Sequence, residues 1–265
     1  ILGSSLSIQG LSGQNVKILI DGVPVIGRLN GNVDLSQLNL NTIERIELIE
    51  GPLSVNYGTD ALAGTINLIT KKQKKTGHSL HVNSYYESVG QYNADANFNY
   101  KKGAHIIELS SGRRFFDGWS PNDAFFKLPI ARPADTCRSI QWNIKEQHFG
   151  KFGYTFRKGD FHFSPYTSSF QEKITNRGYP QLPYYENAFD DFYYTYRNNV
   201  GIKLKGTLPW GDNWNILTAY NDFKRIKNSY FTDLTTLEST LISGAGNHDT
   251  SWLGAVMSRG SFNYY

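Results

Sequence analysis

Few of the residues that could do chemistry share a neighbourhood in this sequence. Asp190 and Asp191 form a carboxylate pair, but they sit in a polar stretch that reads as a loop. The six histidines (His78, His81, His105, His148, His162 and His248) are scattered, and no spacing among them suggests a metal site. His148 and His248 fall in long polar stretches and are the two that could ligate a heme from a loop. Cys137 is the single cysteine, which excludes an intrachain disulfide framework and a thiolate metal centre. No catalytic residue, metal site or cofactor site is expected. The net charge is +4, and its clearest cluster, Lys71-Lys72-Gln73-Lys74-Lys75, reads as a solvated linker. Nucleic-acid binding would need a broader basic face.

The elements that must position any binding residue follow two different patterns. Residues 1–72 are aliphatic and rich in small residues. Val16, Ile18 and Ile20 alternate with Lys17 and Leu19, and Asp21-Gly22 then supplies a turn. Ile46, Leu48 and Ile49 mark a second strand, and Ile66, Leu68 and Ile69 a third. Asp34–Gln37 and Asn41–Glu44 each begin with an N-cap residue and fit a short helical turn. From His78 onward the pattern is period-two alternation with an aromatic bias; aromatics make up 14% of the chain. Tyr92, Ala94, Ala96, Phe98 and Tyr100 take one face, while Asn93, Asp95, Asn97 and Asn99 take the other. About eight such strands are expected. No apolar run reaches the roughly 20 residues of a membrane-spanning helix, which leaves membrane strands open.

Alternation alone fits either a strand between lipid and a wet lumen or a strand of a soluble sandwich. The connections favour the first. Lys102-Gly103, Lys158-Gly159-Asp160 and Pro209–Asp212 are short turns, whereas 117–148, 172–191 and 228–249 are long and polar. Short turns at one end and long loops at the other are the outer-membrane barrel pattern. Tyr100, Phe156, Trp210, Trp214, Phe262 and Tyr264 lie near strand ends, where an interfacial aromatic girdle would be. A soluble all-β binding module with a small α/β cap is the reading from another class.

Seven motifs then fall in order over about 65 residues. They are "IQG" at Ile8–Gly10, "LIDGVP" at Leu19–Pro24, "DLSQ" at Asp34–Gln37, "IERIE" at Ile43–Glu47, "GP" at Gly51-Pro52, "YGTDA" at Tyr57–Ala61 and "GTINLITKK" at Gly64–Lys72. Together they resemble the plug domain of TonB-dependent outer-membrane receptors. The resemblance implies a mainly β fold: an α+β plug segment followed by the N-terminal portion of a large antiparallel transmembrane β-barrel, about 22 strands in the whole family fold. The expected organisation is the C-terminal part of the plug at 1–72, a linker at 73–77 and the first barrel strands at 78–265. The chain opens on Ile1 without a signal peptide and stops at Tyr265 within an alternating segment, so it is expected to be an internal piece of a longer receptor.

What the resemblance implies for function is import across the bacterial outer membrane. A scarce nutrient would bind at the cell surface and TonB would drive its entry, acting through an N-terminal box that lies outside this chain. An iron chelate (siderophore or heme) ranks first as cargo, and cobalamin or an oligosaccharide ranks behind it. Outer-membrane lipid, TonB and the small-molecule nutrient are the expected partners. Arg45 with Glu47 is expected to lock plug to barrel through glutamates on later strands. The companion Arg of the family's opening motif is replaced here by Gln9, which leaves that lock one guanidinium short. Ligand contacts are expected from the plug segment 25–33, through Arg28, Asn30 and Asn32. The aromatic loop 178–189 is expected to add Tyr179, Tyr184 and Tyr185, whose rings could stack on a flat ligand. Gly51-Pro52, Gly58 and Gly64 read as structural turn or close-approach positions.

Overall fold

The computed structural model describes residues 7–8, 11–28, 32–49, 63–73, 75–118, 142–244 and 246–263. The segment from 50 to 62, with its GP and YGTDA motifs, lies outside the described residues, as do Gln9, Asn30, Cys137 and Tyr264.

The N-terminal part begins with the paired dipeptides β1 (Ser7–Ile8) and β2 (Leu11–Ser12). A four-stranded sheet follows, built from β3 (Val16–Ile20), β4 (Val23–Pro24), β5 (Ile43–Ile49) and β6 (Gly64–Thr70) in the order β4-β3-β6-β5. Strands β3 and β6 run parallel, and the other two pairs run antiparallel. The Asp21-Gly22 turn closes the β3–β4 hairpin with positive φ at both positions (50° and 87°), the two-residue geometry that suits Asp-Gly. Parallel strands are usually covered on both faces. Here Val16, Ile18, Ile66 and Leu68 pack with Val33, Leu38 and Ala63 on one face, while Leu19 is fully buried on the other.

Two single-turn 3-10 helices join β4 to β5. The first spans Leu35–Gln37, and the Asp34 side chain caps it by accepting from the Ser36 N–H at 2.9 Å. The second spans Leu40–Thr42 and is capped by Asn39, which accepts from the Asn41 N–H at 3.1 Å. The cap is therefore two residues upstream of the expected Asn41. Ile43 already belongs to β5, because pairing with Thr70 of β6 gives its backbone groups partners that a longer helix would forgo, and Glu44 is the bulged residue that follows it.

From Gly77 a second sheet takes over. It contains β7 (Gly77–Glu87), β8 (Gln91–Lys102), β9 (His105–Phe116), β10 (Ile144–Lys158), β11 (Phe161–Arg177), β12 (Asn187–Thr207), β13 (Asn213–Asp233), the short β14 (Ser239–Leu241) and β15 (His248–Asn263). Every neighbour is antiparallel and next in sequence, except that β14 and β15 both pair with β13. The eight long strands match the expected count. The expected long loops are shorter than the polar composition suggested. Residues 172–177, 187–191 and 228–233 continue their strands, and His148 and His248 lie in β10 and β15. Ladder hydrogen bonds need no lipid, so pairing runs past the apolar band into polar sequence.

Burial decides between the two readings of this sheet. Its buried positions include Asp95, Ser110, Gln147, Glu172, Thr195 and Asn221, whereas Leu80, Val82, Phe152, Val200 and Val256 are exposed. A soluble sandwich would reverse this arrangement. An apolar outside around a polar inside is the arrangement of a barrel in lipid. Aromatic pairs sit at both margins: Phe161 with Trp214 and His105 with Phe156 near the short turns, and Tyr86 with Tyr92 at the other end. No helix among the described residues is long and apolar enough to cross a membrane.

Candidate functional site

The small sheet is fastened to the lumen face of the large one through its two helical turns. On the first turn, Ser36 accepts a hydrogen bond from Lys145 of β10 at 2.6 Å, and Gln37 donates to Glu172 of β11 at 2.9 Å. Lys145 lies 3.3 Å from Glu172 and 3.7 Å from Asp34. Gln147 donates to the other Glu172 oxygen at 2.7 Å. Arg197 of β12 donates to Gln37 Oε1 at 3.0 Å and stands over the Phe223 ring of β13, 5.3 Å from its centroid. Glu172 is 4% exposed, so its charge depends on these partners for the stabilisation that water would otherwise give.

The second turn uses neutral donors against a barrel carboxylate. Asn39 and Asn41 donate to the two oxygens of Asp95 on β8 at 3.1 and 2.6 Å. Arg114 approaches the Asn39 oxygen at 3.4 Å and lies over the Phe149 ring. Below, the Asp21 carboxylate accepts from the Thr70 N–H and hydroxyl at 3.0 and 2.6 Å and faces Lys151 at 3.9 Å. An apolar contact completes the dock where Val23 packs on Leu217 and Ala219. Gly27 lies so close to Phe223 that an added Cβ would stand 2.3 Å from the ring, and its φ of 81° also favours glycine.

The residues expected to bind ligand are not gathered in one place. Arg28 turns into its own domain, donating to the Gly13 carbonyl at 2.6 Å and approaching that of Val16 at 3.5 Å. It fixes the loop rather than presenting a charge to solvent. Asn32 is half-buried. Tyr179 and Tyr184 are 50% and 76% exposed, and Tyr185 holds a positive φ in the compact loop between β11 and β12. That loop is closed by bonds from Gln181 N to Asn187 O at 2.7 Å and from Gly178 N to Asp190 at 3.0 Å. Arg197 reaches the Gly27 carbonyl at 3.5 Å, and Asp190 lies seven residues before Arg197 on the same strand. The tyrosine loop is therefore roughly 20–25 Å beyond the plug's upper loop.

Strand alternation fills that gap with residues the sequence reading passed over. Arg197 and Phe223 touch the plug, so Tyr193, Asp191 and Phe189 on β12 share their face, as do Arg225, Lys227, Ser229 and Phe231 on β13. Arg225 stands over the Tyr193 ring, 5.2 Å from its centroid. Lys227 pairs with Asp191 at 3.6 Å, and Ser229 donates to the same carboxylate. Phe189 and Phe231 meet edge-on at 5.7 Å and are 48% and 38% exposed. This is a basic and aromatic wall above the plug. The period-two parity of β12 and β13 was the available signal, but only the register shows which face looks inward.

Arg45 and Glu47 pair with each other at 2.8 Å along β5, and Asn67 donates to the second Glu47 oxygen at 3.1 Å. Ile46 and Leu48 of the same strand are also exposed. His148 and His248 lie on the outward face of their strands, so neither offers a heme ligand to the lumen.

A family model described as the TonB-dependent Receptor Plug Domain matches residues 2–65. That match covers the N-terminal sheet and its docking turns, and a plug-like sheet set against a barrel-like wall is the fold that agrees with it. TonB-dependent receptors are transporters of the bacterial outer membrane, not enzymes. The ferric-catecholate import receptor Fiu from E. coli K12, in its closed form, is similar at a TM-score of 0.58 and 14% identity over 98% of this chain and 36% of that one. The ferric citrate transporter FecA, unliganded, gives 0.50 and 14% over 99% and 48%. The copper transporter OprC gives 0.52 and 12% over 90% and 45%. The chain spans about half the length of these proteins or less. At such identities the likeness establishes the fold, and the cargoes of these three proteins differ.

Proposed function

We propose that this chain supplies the plug, at 1–72, a linker at 73–77 and the first barrel strands, at 78–265, of a TonB-energised importer of an anionic iron chelate. The observation that carries the reading is the lumen-facing wall above the plug, where Arg225 and Tyr193 lie between the plug's upper loop and the tyrosine loop. A cation stacked on an aromatic ring gives an anionic, ring-bearing ligand a charge partner and a flat apolar surface at once. Siderophores meet that description. Heme is the weaker case, because the two histidines proposed to ligate it face outward. The Asp34–Gln37 segment is occupied in docking the plug. Tyr179, Tyr184 and Tyr185 would close over a bound chelate, and Arg28 with Asn32 would hold the plug loop beneath it. Plug retention would be completed by Arg45 and Glu47 against barrel strands beyond this chain.

The test uses the full-length receptor as the sole importer in a host with its own iron receptors deleted. Uptake of radiolabelled iron as catecholate, hydroxamate and citrate complexes is compared with that of heme, labelled cyanocobalamin and a maltodextrin, with and without TonB. At least one anionic iron chelate should enter in a TonB-dependent way. Arg225→Gln should weaken its binding by about tenfold, the scale of one lost charge contact. Uptake confined to cobalamin or glycan, or uptake indifferent to TonB, overturns the proposal.

A further inference from the structure

Arg197 touches both the plug's upper loop and its docking turn. Its Nη2 reaches the Gly27 carbonyl at 3.5 Å and the Gln37 Oε1 at 3.0 Å. Through Gln37 it joins the buried Glu172 network, which also holds Ser36 and Asp34 through Lys145. The other two guanidinium nitrogens, Nε and Nη1, are buried and have no protein acceptor. Beside them is a cavity of about 120 Å³ between plug and wall, lined by Arg197, Gln37, Tyr166, Asn199 and Asn221 among others. Asn221 Nδ2 is likewise buried without a hydrogen-bond partner, and Tyr166 Oη and Asn199 Oδ1 lie buried against each other in the same lining.

A buried guanidinium with two idle nitrogens next to oxygens that keep a spare lone pair has a second set of bonds within reach. In the arrangement present, it spends one nitrogen on the plug and stacks on Phe223. If the Gly27 carbonyl withdraws, the group can rotate into the cavity, where Asn199 Oδ1 and the Tyr166 hydroxyl can accept from it. That rotation removes the cation from Gln37 and leaves the docking turn held by Lys145 and Glu172. Two discrete hydrogen-bond arrangements of one side chain are what a coupling element requires. We propose that Arg197 is a positioning residue that couples the plug's upper loop to its docking turn, so that displacing the loop at Gly27 loosens the Asp34–Gln37 dock.

This inference rests on the reading of the chain as a plug inside a barrel, and not on the identity of the cargo. Its test is a labelling rate, which stands or falls separately from the uptake assay. A cysteine is placed at Leu35, on the docking turn and packed against the plug core, in a cysteine-free full-length receptor in outer-membrane vesicles. The rate of maleimide labelling reports release of the turn. Gly27→Ala serves as the loop perturbation, because the new Cβ would meet Phe223. Gly27→Ala and Arg197→Gln should each raise the rate about tenfold, and the double variant should exceed either single by no more than about twofold, the non-additivity of one shared path. Arg197→Lys keeps the cation but not the forked donor set, and should behave as Arg197→Gln does. Effects that simply multiply overturn the proposal, as does an Arg197→Lys rate equal to wild type. Should Arg197→Gln fail to assemble, the Lys variant with and without Gly27→Ala decides the question alone.

Discussion

Two ion-pair clusters on the plug use the same chemistry under opposite conditions. Around the docking turn, Asp34, Lys145, Glu172 and Arg197 meet on the lumen wall, with Glu172 almost completely buried. On β5, Arg45 and Glu47 meet at 2.8 Å with side chains 58% and 37% exposed. The first cluster crosses between domains and cannot be solvated in place. The second stays within one strand, and water screens it. A shorter separation therefore does not mean a larger contribution, and the cluster that crosses between plug and wall is one the sequence did not advertise.

The largest expected effect tests that difference directly. Glu172→Gln in the full-length receptor removes the buried anion that Lys145 pairs with and that Gln37 and Gln147 donate to. The plug should lose on the order of 3–5 kcal/mol, the cost of breaking a buried pair from one side. Urea unfolding in detergent, followed by hydrogen exchange at β3 amides, measures it. A loss below about 1 kcal/mol would mean that water reaches the cluster and the contrast with β5 is false.

Asp95→Ala comes next. It strips the acceptor from two asparagine side chains, and stranding buried donors costs roughly 1–3 kcal/mol. Exchange should rise at residues 39–42 ahead of β3. Equal loosening of both helical turns would show that the dock is one cooperative unit rather than two.

Arg45→Ala gives the smallest effect if the in-strand pair is all that Arg45 has, about 0.2–1 kcal/mol for an exposed ion pair. A loss several times larger in the full-length receptor would show that later barrel strands bury Arg45, as the family resemblance implies. Salt sharpens the same comparison, because at 1 M the Debye length is about 3 Å. The Arg45→Ala penalty should then shrink toward zero while the Glu172→Gln penalty changes little. Parallel losses for both would place the two clusters in similar dielectric surroundings.

Much of the architecture was legible from residue order. The Asp-Gly turn, the Asp34 cap, the three aliphatic plug strands and the eight alternating barrel strands each follow from local rules of backbone geometry and period-two polarity. Those rules act over a few residues, and the sequence states them outright. The helix boundary at Asn39 was misplaced because the pairing of Ile43 with β6, a contact 27 positions away, settled it. Loop lengths were overestimated because polar composition marks the edge of the lipid, whereas strand ends follow the ladder.

The binding and docking residues were the part that only the tertiary structure decided. Arg28 reads in sequence as a charged loop residue, and the fold turns its guanidinium to the Gly13 carbonyl of its own domain. Lys145, Glu172 and Arg197 looked like ordinary polar positions in alternating strands. Their roles come from register, which sets three strands side by side so that Lys145 reaches the buried Glu172 carboxylate and Arg197 joins it through Gln37. Alternation tells which residues share a face. Which face turns inward, and what it meets there, depends on the closed packing of plug against wall.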